Sequence, residues 1–189
     1  MQALLASYEK DENLLRLGKL LKEKGWELLG SAGTAKYLNE NGVPCQDVAE
    51  IVGPPILGHR VVTLSRKLHA ALLAKPNDMD ELKKIGVESI DLVYVTLYPL
   101  EKTIASGARP DEVLEKTDIG GPALLRSAAK GRRLALSDPS HIDLVHTWFA
   151  HGSLESERIA LATKLAAAAE RRVAEYVAAS ADYWEQKTR

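Results

Sequence analysis

Short apolar runs alternate with stretches in which apolar residues recur every three or four positions, and this pattern carries through the first half of the chain. Residues 3–6 predict a strand. Leu14, Leu15, Leu17, Leu20 and Leu21 then fall at helical spacing, with Gly25 as the stop. Residues 26–29 predict a second strand, leading into the turn Gly30-Ser31-Ala32-Gly33-Thr34 and a short helix that Gly42 closes. Residues 43–48 predict a weaker third strand, and Pro44 assigns it to a sheet edge. The glycine- and proline-rich stretch at 50–66, with Gly53-Pro54-Pro55-Ile56-Leu57-Gly58, reads as a binding loop rather than a linker. Two short helices follow near 67–73 and 79–85. Residues 90–97 are the most apolar run and predict a central strand buried on both faces. Residues 134–136 predict a further strand, Ser137-Asp138-Pro139-Ser140 a turn and helix start, and residues 154 to about 180 an alanine-rich helix. Strands alternating with helices imply a parallel sheet covered by helices on both faces.

Composition narrows the function classes. The 189 residues are read as one domain, 1–189, large enough to bury a core. With 25 basic and 26 acidic side chains the net charge is −1, which gives no electrostatic footprint for nucleic acid or an anionic membrane surface. A small anionic ligand stays open, because local clusters decide that. The lone Cys45 rules out an internal disulfide framework and fits a cytoplasmic location. No apolar run approaches the roughly 20 residues of a membrane span, and the opening run is too short for a signal peptide.

Ligands in parallel α/β sheets gather at the carboxyl ends of strands, and four segments fall at predicted strand ends: Ser7–Lys10, Ser31–Thr34, Thr96–Pro99 and Ser137–Pro139. Ser31, Gly33 and Thr34 offer hydroxyls and free N–H groups at a helix start, which suits a phosphate. The plainer alternative is a Thr34 helix cap. Lys10, in Ser7-Tyr8-Glu9-Lys10, is either a neutraliser of the same phosphate or a solvated charge. Arg60 and Thr63 stand in the glycine-flanked loop, where a surface arginine is the alternative. Pro99 holds Tyr98 extended, aiming its hydroxyl into a crevice or leaving its ring to pack. Residues 118–130 are the densest segment. Asp118, Ile119, Gly120 and Gly121 precede Pro122, expected at the first helical position. Arg126 and Lys130 follow on that helix. Lys130 then lies about 12 Å along the axis from Pro122, where it either complements the helix dipole or reaches back to a ligand. His59, His69, His141, His146 and His151 show no metal-like spacing.

Together these segments resemble the IMP cyclohydrolase domain of bifunctional AICAR transformylase/IMP cyclohydrolase. Asp118-Ile119-Gly120-Gly121, Leu124-Leu125-Arg126, Ala128-Ala129-Lys130, Leu97-Tyr98-Pro99, Gly33-Thr34-Ala35 and Arg60-Val61 match that family in order and spacing. The resemblance implies a methylglyoxal-synthase-like α/β fold in three layers, with a mostly parallel sheet and a long C-terminal helix. It also implies a homodimer and the use of no metal or organic cofactor, and the chain is read as a divergent stand-alone form. The implied reaction closes the ring of a formylated aminoimidazole carboxamide ribotide to IMP with loss of water. Lys10, Ser31, Gly33 and Thr34 would hold the ribotide phosphate, with Ser7, Arg60, Thr63, Ile119, Gly120 and Gly121 completing the binding site. Tyr98, Asp118 and Lys130 would supply proton transfer and charge stabilisation. A separate formyltransferase would be a natural partner.

Several positions depart from the family pattern. Val62 stands in place of a lysine, Ser65-Arg66 in place of His-Pro, and Thr96 and Gly131 in place of asparagines. His59, Arg66 and Lys67 are the nearby candidates to replace the lost cation. The departures leave two expectations: a divergent cyclohydrolase, or a non-catalytic module that binds purine ribotides. Phosphate elimination of the methylglyoxal-synthase kind has no suitably placed histidine and acid pair.

Overall fold

The computed structural model describes residues 1–58 and 60–188. Five strands, β1 (Gln2–Ser7), β2 (Glu27–Gly30), β3 (Gln46–Asp47), β4 (Leu92–Thr96) and β5 (Leu134–Leu136), form one sheet in the order β3-β2-β1-β4-β5. Every neighbouring pair is parallel. The period of two within each strand sorts its side chains onto two faces. Ala3, Leu5, Leu92, Tyr94, Leu134 and Leu136 enter one core; Leu4, Val93, Val95 and Ala135 enter the other. Helices α1 (Glu12–Glu23), α2 (Ala32–Glu40) and α9 (His141–Ala150) pack on the first face. Helices α4 (Arg66–Leu73) and α8 (Gly120–Lys130) pack on the second. This is the three-layer arrangement that strands with two buried faces require.

The remaining helices are α3 (Ala49–Val52), α5 (Met79–Lys84), α6 (Leu100–Ala105), α7 (Pro110–Glu115) and the long α10 (Glu155–Lys187). Ala162 and Leu165 of α10 meet the first core, and Ala169 and Val173 meet the second. The helix therefore spans the edge at β5, covering strand groups that would otherwise be unpaired. Further along, Tyr176 and Tyr183 join Leu100 and Val113 in a small third cluster with α6 and α7. No helix of the described residues is long and apolar enough to cross a membrane.

Two expectations change, and two helices stand where no element was predicted. The third strand shrinks from residues 43–48 to two residues, because the Asn39 side chain takes the backbone groups of Cys45. Its Oδ1 accepts the Cys45 N–H at 3.0 Å and its Nδ2 donates to the Cys45 carbonyl at 2.8 Å. Helices α6 and α7 occupy a stretch with no clear apolar period, each introduced by a proline at its start, Pro99 and Pro110. Helix α8 begins at Gly120, two residues before Pro122. Asp118 makes this possible, since its Oδ1 accepts the Gly121 N–H at 2.9 Å and satisfies a first-turn donor.

Candidate functional site

From β1 the chain builds outward through β2 and β3, then returns to lay β4 on the other side of β1. A crevice opens where the order reverses, beyond the carboxyl ends of these strands. It is a cleft of about 730 Å³ lined by Ser7, Lys10, Ser31, Gly33, Arg60, Val62, Thr63, Thr96, Tyr98, Asp118 and the turn that opens α8, among others.

One wall is a knot of hydroxyls and backbone. Ser7, buried at the end of β1, donates its hydroxyl to the Glu9 carbonyl at 2.6 Å. In its 2.7 Å contact with Thr96 the proton must therefore come from Thr96. The Thr96 oxygen accepts the Tyr8 N–H at 2.8 Å and the Glu9 N–H at 3.3 Å. The asparagine-to-threonine departure thus has a local account: the Thr96 hydroxyl ties the loop after β1 to the end of β4. Thr34, fully buried, donates to the Ser7 carbonyl and accepts from the Ser7 N–H and the Ser31 hydroxyl. Its hydroxyl is consumed beneath the cleft rather than presented in it, and it makes no cap bond to α2. Ser31, at the cap position, makes no side-chain cap bond either. The first-turn N–H groups of α2 are left to face the cleft with their positive dipole end. Lys10 Nζ donates to the Ser7 and Tyr8 carbonyls and lies against Gly33, whose missing Cβ would sit 3.4 Å from Lys10 Cε. Burial around the ammonium lowers its pKa. Lysine and helix start together make a seat for an anion.

The opposite wall carries the titratable pair. Asp118 is half-buried, and burial raises its pKa above the ordinary carboxylate range; N–H groups of Gly121, Tyr98 and Gly120 pull it the other way. Burial also raises the Tyr98 hydroxyl, the negative field of Asp118 adding to it and Lys116 opposing it. Tyr98 therefore stays protonated at neutral pH, available as a donor. The rings of Tyr8 and Tyr98 lie 5.1 Å apart, and Lys116 Nζ stands 5.4 and 6.0 Å from their centroids, within cation–π range.

Gly120 and Gly121 serve close approach, since neither has positive φ. A Cβ on Gly121 would come within 2.5 Å of Asp118 Oδ2 and 2.6 Å of Leu97 Cδ2; one on Gly120 would come within 2.7 Å of Thr63 Oγ1. Gly131, where the family has asparagine, shows the same necessity outside the cleft, because a Cβ there would lie 2.0 Å from the Leu72 carbonyl oxygen.

Of the residues singled out from sequence, Ser7, Lys10, Ser31, Gly33, Arg60, Thr63, Tyr98, Asp118, Ile119, Gly120 and Gly121 all line the cleft. Thr34 supports it from below. Lys130 is not brought there: it ends α8, exposed, one helix length from Asp118. Arg60 pairs with Glu115 at 3.2 Å on the exposed rim. Val62 presents an alkyl wall where the family has its lysine. Arg66 and Lys67 begin α4 and do not line the cleft, and His59 lies outside the described residues. Tyr8, Lys116 and Glu115 escaped sequence reasoning, although Tyr8 and Lys116 adjoin segments already marked. Among the described residues no cluster of histidine, cysteine and acid could hold a metal.

The comparisons with known proteins agree with this fold. Residues 13–123 match the MGS-like domain. The bifunctional purine biosynthesis protein PurH of Persephonella marina is 41% identical over 133 residues, 68% of this chain and 26% of that protein. PurH of Mycobacterium marinum is 38% identical over 193 residues, 99% of this chain and 36% of that protein. This chain thus spans about a quarter to a third of the length of these relatives. A crystal structure of ForH superposes with a TM-score of 0.80 at 33% identity, covering 97% of this chain and 98% of that one. The chain belongs to the MGS-like domain family and is a PurH-related member of it.

Proposed function

We propose that this chain closes the ring of a formylated aminoimidazole carboxamide ribotide, or a close analogue, with loss of water. The observation that carries the reading is the polarity of one cleft. Lys10 and the open N-terminus of α2 lie at one end, and a buried carboxyl group beside a protonated phenol lies at the other. A ribotide has the same polarity, with its phosphate at one end and the reacting groups on the base at the other.

In this reading the ribotide phosphate takes the first-turn N–H groups of α2 and the remaining Lys10 proton. Asp118 removes a proton from the carboxamide nitrogen as that nitrogen attacks the formyl carbon, and Tyr98 donates a proton to the formyl oxygen. The carbinolamine that results loses its hydroxyl as water, Asp118 returning its proton to the leaving oxygen, while the N–H proton of the former formamide goes back to Tyr98 and the C–N double bond forms. Holding the two reacting groups of one substrate in a closed conformation contributes as much as the acid and base do.

The test is ring closure followed by ultraviolet absorbance on purified protein, and no acceleration would sink the proposal. Val62 favours a second reading. An alkyl group stands where the family has its lysine, as it could in a module that binds a ribotide without turning it over. Calorimetric binding of IMP without turnover would select that module. Losing one electrostatic donor typically costs about 10²–10³ in rate, so Val62→Lys should raise kcat by a comparable factor if nothing has replaced it.

A further inference from the structure

Tyr176 lies on α10, far in sequence from the cleft, and is 1% exposed. Its hydroxyl accepts the Asp118 N–H at 2.8 Å and donates to the Lys116 carbonyl at 3.0 Å. One phenol thus satisfies both backbone groups that flank Thr117, using its lone pair for one and its proton for the other. The ring cannot drift, because it packs with Leu100 and Val113, and the Arg172 guanidinium lies over it at 5.4 Å while pairing with Glu101 of α6. Asp118 and Lys116 are the two charged groups that bracket Tyr98, one on each side of its electrostatic balance.

We propose that Tyr176 is a positioning residue for the cleft, its hydroxyl fixing from α10 the short segment that sets Asp118 and Lys116 against Tyr98. Among the described residues Asp118 has no other hydrogen-bond anchor from outside its own turn and the neighbouring loop, so α10 sets the depth at which its carboxyl group sits. Phenylalanine at 176 keeps the ring and its packing and removes only the hydroxyl. The segment then gains freedom to move outward, the carboxyl group becomes better solvated, and its titration moves down toward the ordinary range. The anion seat at Lys10 and α2 lies on the opposite wall and is untouched.

This inference rests on the ring-closure reading for its kinetic consequence, and the experiment separates the two. Carboxyl-carbon NMR titration of Asp118 is compared in wild type and Tyr176→Phe, together with kcat and KM well below the melting temperature of each, and IMP affinity. The expected result is a downward shift of the Asp118 titration, a fall of about tenfold in kcat and less than a twofold change in KM and IMP affinity. An unchanged Asp118 titration overturns the proposal, as does a loss of affinity matching the loss of rate. If the wild type does not turn over, the ring-closure reading fails while the titration and the IMP affinity still decide the role of Tyr176. If Tyr176→Phe does not fold, hydrogen exchange on the wild type decides it instead. The Asp118 amide must then be protected, and exchange at the rate of an open loop would refute the anchor.

Discussion

The two walls of the cleft are built differently. At Ser7, Thr34 and Thr96 the hydroxyl groups bond to one another and to backbone at strand ends, so the wall is complete before any ligand arrives. The wall around Asp118 depends on distant pieces: a glycine pair with no room for a Cβ, a loop carrying Val62 and Thr63, and a phenol from α10. The Ser7 end is a closed set of hydroxyl and backbone bonds that ties β1, α2 and β4 together at their ends. The Asp118 end holds a carboxyl group away from water, an arrangement that stabilises the protonated form and so opposes its own ionisation. In the ring-closure reading, binding the anion and reacting at the base are therefore separable.

The largest test of that separation is Asp118→Asn. In the ring-closure reading it lowers turnover by about 10²–10⁴, while calorimetric affinity for IMP changes only a few-fold. Equal losses of both would mean that the walls are not independent. Lys10→Ala should do the reverse. A hydrogen bond to a charged group contributes about 1.5–3 kcal/mol, so ribotide binding weakens roughly 10–100-fold with kcat at saturation little changed, which steady-state kinetics would resolve.

A pair of glycine substitutions sharpens the same contrast in stability. Gly121→Ala must displace Asp118 or Leu97 and should destabilise the protein by about 1–3 kcal/mol. Gly33→Ala meets only the flexible Lys10 stem at ordinary contact distance, and helix propensity favours it by up to about 1 kcal/mol. Chemical denaturation of the two variants reads the difference, and similar midpoints would show that the Asp118 wall has unexpected slack.

The smallest effect concerns pH. Because burial raises the folded-state pKa of Asp118, its contribution to stability is full below the unfolded pKa and is lost as pH rises through the folded one. Asp118→Asn keeps an acceptor without the charge, so its melting temperature should exceed that of wild type at pH 7. The gain should vanish below about pH 4. A gain that persisted in acid would place its origin elsewhere.

Much of this molecule was legible in the chain because the relevant interactions are local. Short apolar runs gave β1, β2, β4 and β5, helical spacing gave α1, and the strand-end positions of Ser7, Ser31 and Tyr98, with the motif at Asp118, placed most of the cleft, whereas Ser137–Pro139, also at a strand end, does not line it. Where the reading fell short, a distant or unpatterned group was responsible. Asn39 took the hydrogen bonds that Cys45 would have made in a longer third strand. Thr34 looked like a phosphate ligand or a cap and became a buried strut, because Ser7 lies above it. Tyr176 carries no local signal, being one apolar position in a long alanine-rich helix.

The sequence by itself determined the layers, the parallel sheet and the kind of chemistry its strand ends present, since these follow from side-chain period and residue type. Only the tertiary structure decided which groups share a cleft and in what state. Burial of Asp118, the two glycines pressed against it and Thr63, the separation of Lys130 and the anchor from α10 all depend on packing between residues far apart in the chain. Desolvation and close approach exist only once those residues have been brought together.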